Sequence, residues 1–164
     1  QGYSYDTAQA SFEILARREL GQLPDFFDVK RYKVTVERRK NKYNKMVSLS
    51  EAVVVVKIDG EKKLSVSESL DGSGSDRGPV NALAKALSKD LGQYQSMIDD
   101  MHLVDFKVRI TQGGTEAVTR VVIDSEDSKG RRWSTVGVSS NIVDASCEAL
   151  LDAINWKLIR DTQQ

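Results

Sequence analysis

One histidine and one cysteine stand among 164 residues, and that scarcity bounds the chemistry before any fold is considered. His102 has no second histidine or cysteine at ligand spacing, so no zinc shell can be assembled around it; it reads as a surface or loosely packed imidazole. Cys147 falls on the apolar stripe of a helical segment and reads as a small buried hydrophobe rather than a nucleophile. The adjacent acids Asp99-Asp100 and Glu126-Asp127 lie in connector-like stretches, where neighbours on a turn rarely converge on one substrate, and they read as solvated carboxylates. There is no G-x-S-x-G serine turn and no Walker lysine. The expectation is a chain with no catalytic residues and no metal ligands.

The one stretch with chemical capacity is Gly72-Ser73-Gly74-Ser75-Asp76-Arg77-Gly78-Pro79, which leaves a strand and opens a helix. Such a loop aims backbone N–H groups and a positive helix end at a carboxylate or phosphate. Its spacing fits neither the dinucleotide fingerprint nor the P-loop, and a flexible connection is an equal reading. Gly137 to Ile142 makes the same passage later in the chain. Two equivalent helix starts strengthen the anion-binding reading.

Those loops belong to a chain that repeats itself. Glu51-Ala52-Val53-Val54-Val55-Val56-Lys57-Ile58-Asp59 is echoed by Glu116-Ala117-Val118-Thr119-Arg120-Val121-Val122-Ile123-Asp124 at an offset of 65. Val80 to Leu87 returns as Val143 to Leu150 at an offset of 63, and Tyr32-Lys33-Val34 as Phe106-Lys107-Val108. Similarity in fixed order marks a duplicated structural unit. Two copies are too few for a solenoid. The expected product is a pseudo-twofold domain with a natural ligand site where equivalent loops converge.

Periodicity supplies the elements. Asp6 to Leu20 reads as a helix with Ala10, Phe12, Ile14 and Leu15 towards its apolar side and Gly21 as its stop. Tyr32, Val34 and Val36 alternate with polar residues as a half-buried strand, and residues 38 to 48 read as a polar loop or hairpin tip. Ala52 to Ile58 reads as a strand buried on most of its surface, and Asp59-Gly60 turns into a third strand, Lys63 to Ser69. Pro79 suits a first helical turn, and Val80, Leu83, Ala84, Leu87 and Leu91 form that helix's apolar face. The order then repeats: strands at Leu103 to Ile110, Val118 to Asp124 and Trp133 to Ser139, then a helix lined by Val143, Cys147, Leu150, Leu151, Ile154 and Leu158. The fold class is α+β: internally duplicated βββα units with pseudo-twofold symmetry, antiparallel sheets covered by helices, preceded by a linker helix. Residues 1–25 are the linker segment and 26–164 the domain, with repeats at about 26–95 and 100–160.

Composition narrows the partners. Lys+Arg and Asp+Glu are both 24, which argues against nucleic acid and membrane. The basic run Arg38-Arg39-Lys40 with Lys42 and Lys45 reads as a solvated hairpin tip. A lone cysteine excludes an intrachain disulfide and fits a cytoplasmic protein. A start at Gln1-Gly2 without methionine reads as a piece of something longer.

A series of motifs then carries a family resemblance. Gly78-Pro79-Val80-Asn81-Ala82-Leu83, Leu103-Val104-Asp105-Phe106-Lys107-Val108-Arg109-Ile110, Gly114-Thr115-Glu116-Ala117-Val118-Thr119-Arg120-Val121, Trp133-Ser134-Thr135-Val136-Gly137-Val138-Ser139 and Ile142-Val143-Asp144-Ala145-Ser146 follow in order. Together they resemble the C-terminal regulatory (allosteric dimerisation) domain of the 2-isopropylmalate synthase and citramalate synthase family. Gly2-Tyr3-Ser4-Tyr5 through Glu13 is similar to the linker before it, and Asp105 to Ile110 with Trp156-Lys157-Leu158 is more like the citramalate branch. The resemblance implies a fragment that is not itself an enzyme. The catalytic barrel of the same polypeptide would hold the divalent metal and acetyl-CoA and act as an acyltransferase. The fragment would bind the end product, isoleucine in the citramalate branch and leucine in the other, as a homodimer with effector sites near the interface between domains.

By pattern matching, the family's effector contacts fall in the Gly-Pro helix start, the strand after the first helix and the following hairpin, here Gly74, Gly78, Pro79, Val80, Asn81, Leu103, Asp105, Thr115, Ala117, Val138 and Ser139. An amino acid needs N–H donors for its carboxylate, an acceptor for its ammonium and apolar walls. Gly78, Val80 and Asn81 suit the first, Asp105 the second, and Leu103, Ala117 and Val138 the third. Each has a plainer role: Asp105 pairing with Lys107, Val80 as helix core, Gly78 relieving crowding before Pro79. The Gly74–Gly78 loop is longer and more charged than the family's short turn. Two further readings stand beside the sensor: a dimerisation module with no effector, and a self-contained small enzyme.

Overall fold

A computed structural model of the chain describes residues 9–71, 77–113 and 115–163. The elements are α1 (Gln9–Glu19), β1 (Asp28–Lys40), β2 (Met46–Ile58), β3 (Glu61–Asp71), α2 (Arg77–Leu87), a 3-10 turn (Gly92–Tyr94), α3 (Gln95–Ile98), β4 (His102–Gly113), β5 (Glu116–Glu126), β6 (Arg132–Ser139) and α4 (Ile142–Thr162). They form two three-stranded antiparallel sheets, ordered β1-β2-β3 and β4-β5-β6. The α+β class and the repeated βββα order are those the periodicity indicates. Phe27–Gln95 is one compact unit; the described residues up to Phe26 join those from Ser96 onward in the other.

In the first unit, β2 alternates. Ala52, Val54, Val56 and Ile58 are buried, while Val53 and Val55 are only half-buried. The expected burial over most of this strand therefore holds for one face. Pairing carries that face across the sheet: Ala52 and Val54 stand opposite Val34 and Tyr32 on β1, and opposite Ser67 and Ser65 on β3. Buried α2 residues Val80, Ala82, Leu83, Ala86 and Leu87 complete the core, with Leu91 beyond the helix. Strand pairing continues to Lys40 and Met46, so the loop expected over residues 38 to 48 shrinks to 41–45. Asn41 closes it, its side-chain oxygen accepting from the N–H groups of Tyr43 (2.9 Å) and Lys45 (3.0 Å).

In the second unit α4 lies antiparallel to β6 and touches it at a regular interval. Thr135 Oγ1 donates to the Ala149 carbonyl at 2.7 Å, and Trp133 Nε1 to the Ala153 carbonyl at 3.1 Å. A Cβ added at Gly137 would lie 1.8 Å from the Ala145 carbonyl oxygen. Two strand residues advance about 6.7 Å and four helical residues about 6 Å, so positions 137, 135 and 133 stay in step with 145, 149 and 153. The alanines at 145, 149 and 153 on the helix, with Gly137 on the strand, bring the two close. Val121, Ile123, Leu150, Ile154, Leu158 and Ile159 fill the rest of the core.

α1 seals the outer edge of β6, where Ser11 Oγ accepts from Val136 N–H at 2.9 Å. Its buried side is narrow: Ala10, Ser11 and Ile14 are covered, whereas Phe12 and Leu15 are 63% and 50% exposed. The apolar side read for this helix is thus corrected for Phe12 and Leu15, because a helix laid over a strand edge covers only a thin line of side chains.

Candidate functional site

The two helix starts differ chemically. At α4, Asn141 caps the helix, its side-chain oxygen accepting from Asp144 N–H at 2.8 Å while its amide donates to the Asp144 carboxylate at 2.8 Å. A first-turn donor is thereby satisfied and a negative charge stands where an anion would bind. At α2 no acidic side chain occupies the first turn. Pro79 has no N–H and the Asn81 N–H is taken up by the helix's own i→i−4 bond, leaving those of Arg77 and Gly78 as the early donors among the described residues. The expected equivalence of the two sites is not found: among the described residues an acid stands in the first turn of α4 and none in that of α2.

The expected effector residues divide between the units. Gly74 lies outside the described residues. Gly78, Pro79, Val80 and Asn81 sit together at the start of α2, Val80 at 2% exposure inside the core and Asn81 half-buried. In the other unit, strand register separates the rest. Leu103 stands opposite Ser125 and Asp105 opposite Asp124, whereas Ala117 lies near the other end of β5, opposite Gln112. Seven strand positions part Ala117 from Asp124, roughly 23 Å of strand. Ser139 pairs with Thr119 and Val138 with Arg120. Thr115, Ala117, Val138 and Ser139 thus gather at one end of this sheet, away from Leu103 and Asp105. Asp105 also has local partners: its carboxylate accepts from Phe106 N–H at 2.8 Å and lies 3.8 Å from Lys107.

A cluster that sequence reading did not assemble lies where β5 turns into β6. Lys157 Nζ, on α4, stands 2.9 Å from Asp127, 2.9 Å from Asp161 and 3.2 Å from Asp100. Arg131 bonds Asp127 at 2.7 Å and also bonds Asp161. Asp100 receives the Ser128 hydroxyl at 2.6 Å, and Asp127 accepts the N–H groups of Lys129 and Arg131. Burial would raise the Asp127 pKa, but the hydrogen bonds from Lys157 and Arg131 outweigh it and hold it at about 2. Asp100 and Asp127 are therefore not solvated acids: they fasten the turn and the preceding connector to the last helix. The available signal was Lys157 itself, a lysine flanked by Ile154, Trp156, Leu158 and Ile159, which is buried only with partners.

Two other titratable groups are set by burial. The Cys147 thiol is pushed up to about 12 by burial, reinforced by Asp144 and Glu148, which fits a packing role over a nucleophilic one. Asp152, buried on α4, is pushed up to about 6 by burial against the Ser11 hydroxyl and the Arg18 charge. Among the described residues no group of three or more His, Cys, Asp or Glu side chains could hold a metal ion. His102 is exposed at the start of β4.

Comparison with known proteins gives this arrangement a setting. A family described as the LeuA allosteric (dimerisation) domain matches residues 6–158. An (R)-citramalate synthase of Geobacter sulfurreducens is 42% identical over 160 residues, covering 96% of the chain and 28% of that protein. One from Aquifex aeolicus is 38% identical over 166 residues, covering 100% of the chain and 29% of that protein. A 2-isopropylmalate synthase of Pseudoalteromonas atlantica is 33% identical over 165 residues, covering 94% and 29%. The chain spans less than a third of the length of these relatives.

Proposed function

The chain belongs to the LeuA allosteric (dimerisation) domain family, and from that membership we propose that it is the regulatory module of a citramalate synthase. In this reading it binds a branched-chain amino acid, isoleucine, and transmits feedback inhibition of isoleucine biosynthesis to a catalytic barrel on the same polypeptide. That barrel condenses acetyl-CoA with pyruvate and holds the divalent metal. The module works in the cytoplasm as a homodimer. No described helix is long and apolar enough to cross a membrane.

The observation that carries the reading is the match of nearly the whole chain to (R)-citramalate synthases at 38–42% identity, against 33% for the 2-isopropylmalate synthase. The chemistry of α2 supports it. A zwitterionic effector must lose water around its carboxylate, and unpaired N–H groups at a helix start replace that water without a counter-charge. Among the described residues, the first turn of α2 offers such groups with no acidic side chain in it; that of α4 holds Asp144.

Calorimetric titration of the chain with isoleucine, leucine, valine and alanine tests the proposal. Preferential isoleucine binding is expected. Preferential leucine binding moves the chain to the isopropylmalate reading, which the 33% relative favours. A folded dimer that binds none of the four is a dimerisation module with no effector.

A further inference from the structure

The face of the β1-β2-β3 sheet turned away from α2 carries charge pairs that a lone sheet does not favour. Glu51 on β2 stands opposite Glu68 on β3, and Lys57 opposite Lys62. Like charges directly opposite destabilise a strand pair, and among the described residues no ion pair engages any of these four. Between the two charged rows lie two apolar ones on the same face, Val53 opposite Val66 and Val55 opposite Leu64. Leu64 is 63% exposed and Val66 38%; Leu70, further along this face, is 66% exposed. An apolar centre is thus left open between an acidic end and a basic end.

We propose that a second copy of the chain docks on this face, about a twofold axis that crosses the strands between the Val53–Val66 and Val55–Leu64 rows. The inference rests on the homodimer reading above and specifies its surface. Such an axis keeps β2 over β2 and β3 over β3 while reversing their direction. Each charged row lies three positions from the axis, about 10 Å along the strand, so the acidic row of one copy falls on the lysine row of the other. Glu51 and Glu68 meet Lys57 and Lys62 of the second copy, and symmetry makes the same contacts again at the opposite end. Val53 and Val66 meet Val55 and Leu64, the aligned face-to-face packing of two sheets. β1 and β3 are both edge strands, and on β1 the same two rows carry Arg31 and Lys33. The axis sets Arg31 of one copy over Lys33 of the other, the one like-charged part of the contact, at an edge where salt screens it.

The pattern selects its occupant. A nucleic acid would need one sign of charge across the face, and a bilayer would need the acidic row to be absent. Only a surface with the reverse order of rows matches both ends, and the chain's own face turned about the axis has that order.

Sedimentation velocity on the 164-residue chain tests this with two charge-reversal variants, Glu51→Lys/Glu68→Lys and Lys57→Glu/Lys62→Glu. Each is expected to weaken self-association on the order of tenfold or more, because every cross-copy pair becomes repulsive. An equimolar mixture of the two is expected to recover the dimer, since unlike rows again meet at both ends. Leu64→Asp, at an exposed position, is expected to weaken association with the circular dichroism spectrum unchanged. A monomeric wild-type chain overturns the homodimer reading, and this face with it. A wild-type dimer that all three variants retain with unchanged affinity leaves dimerisation standing and overturns this face. Folded single-sign variants that dissociate but fail to pair when mixed overturn it as well.

Discussion

Lys157 Nζ lies 2.9 Å from Asp127 Oδ2, with both side chains sealed from solvent. Thirty positions separate the two residues, so this contact joins the β5–β6 turn to the last helix rather than stabilising either alone. A buried ion pair is no large net gain over apolar packing, but removing one partner strands the other. Lys157→Met leaves Asp127 and Asp161 with Arg131 alone as their shared cation. Because Arg131 still compensates part of that charge, the loss of unfolding free energy is expected at or below the lower end of about 3–5 kcal/mol, read by urea denaturation at neutral pH. Adding Asp127→Asn should recover part of that loss, since Arg131 then answers one carboxylate, Asp161, instead of two.

Two aspartates give stability opposite dependences on pH. Asp127 titrates at about 2 in the folded chain against 3.8 unfolded, so its contribution is present above 3.8 and is lost as pH falls towards 2. Asp152 titrates at about 6 against 3.8, so its contribution is present below 3.8 and is lost as pH rises through 6. Asp152→Asn removes the cost of the buried charge. It should match the wild type near pH 4 and exceed it near pH 8, by roughly 3 kcal/mol at most. Denaturation of both proteins at the two pH values decides this; equal stability at pH 8 would mean that the Asp152 carboxylate is ionised without cost.

Gly137 holds the closest approach of strand and helix. The atom that a Cβ would strike is the backbone oxygen of Ala145, which no rotamer change can move aside. Gly137→Ala is expected to cost about 3 kcal/mol or more, measured as a fall in the denaturation midpoint. Pairing it with Ala145→Gly should give no rescue, because the obstacle belongs to the main chain.

What the sequence discloses follows the range of each interaction. The continuous apolar run from Ala52 to Ile58 and the Lys129-Gly130 turn are local signals, and β2, β5 and β6 form around them; Gly130 adopts a φ of +78° at that turn. One-sided burial of β2 could not be read from a run without alternation. The Lys157 cluster draws on residues 30 and 57 positions away, with Asp161, one helical turn on, as its sole local partner. Phe12 and Leu15 mislead because helical spacing reports which residues could be covered, whereas the narrow edge of β6 fixes how many are. The separation of Asp105 from Ala117 is likewise a matter of register: motif order keeps both in one short stretch, and an antiparallel hairpin sends them to opposite ends of the sheet.

Asn81 separates the effector reading from a purely structural role for α2. The residue is half-buried near the start of that helix, where the first turn has no acid. Asn81→Asp places a carboxylate near the positive helix end, a change that is neutral or slightly stabilising for the helix itself. For a ligand carboxylate at the same donors, the new charge is a like-charge neighbour in a partly desolvated place. Isoleucine affinity is therefore expected to fall about tenfold or more while the melting temperature holds or rises. The comparison is calorimetric titration beside thermal unfolding of the same preparations. Affinity and stability falling together would point to a damaged fold. Affinity unchanged in a stable variant would remove the start of α2 from the effector site.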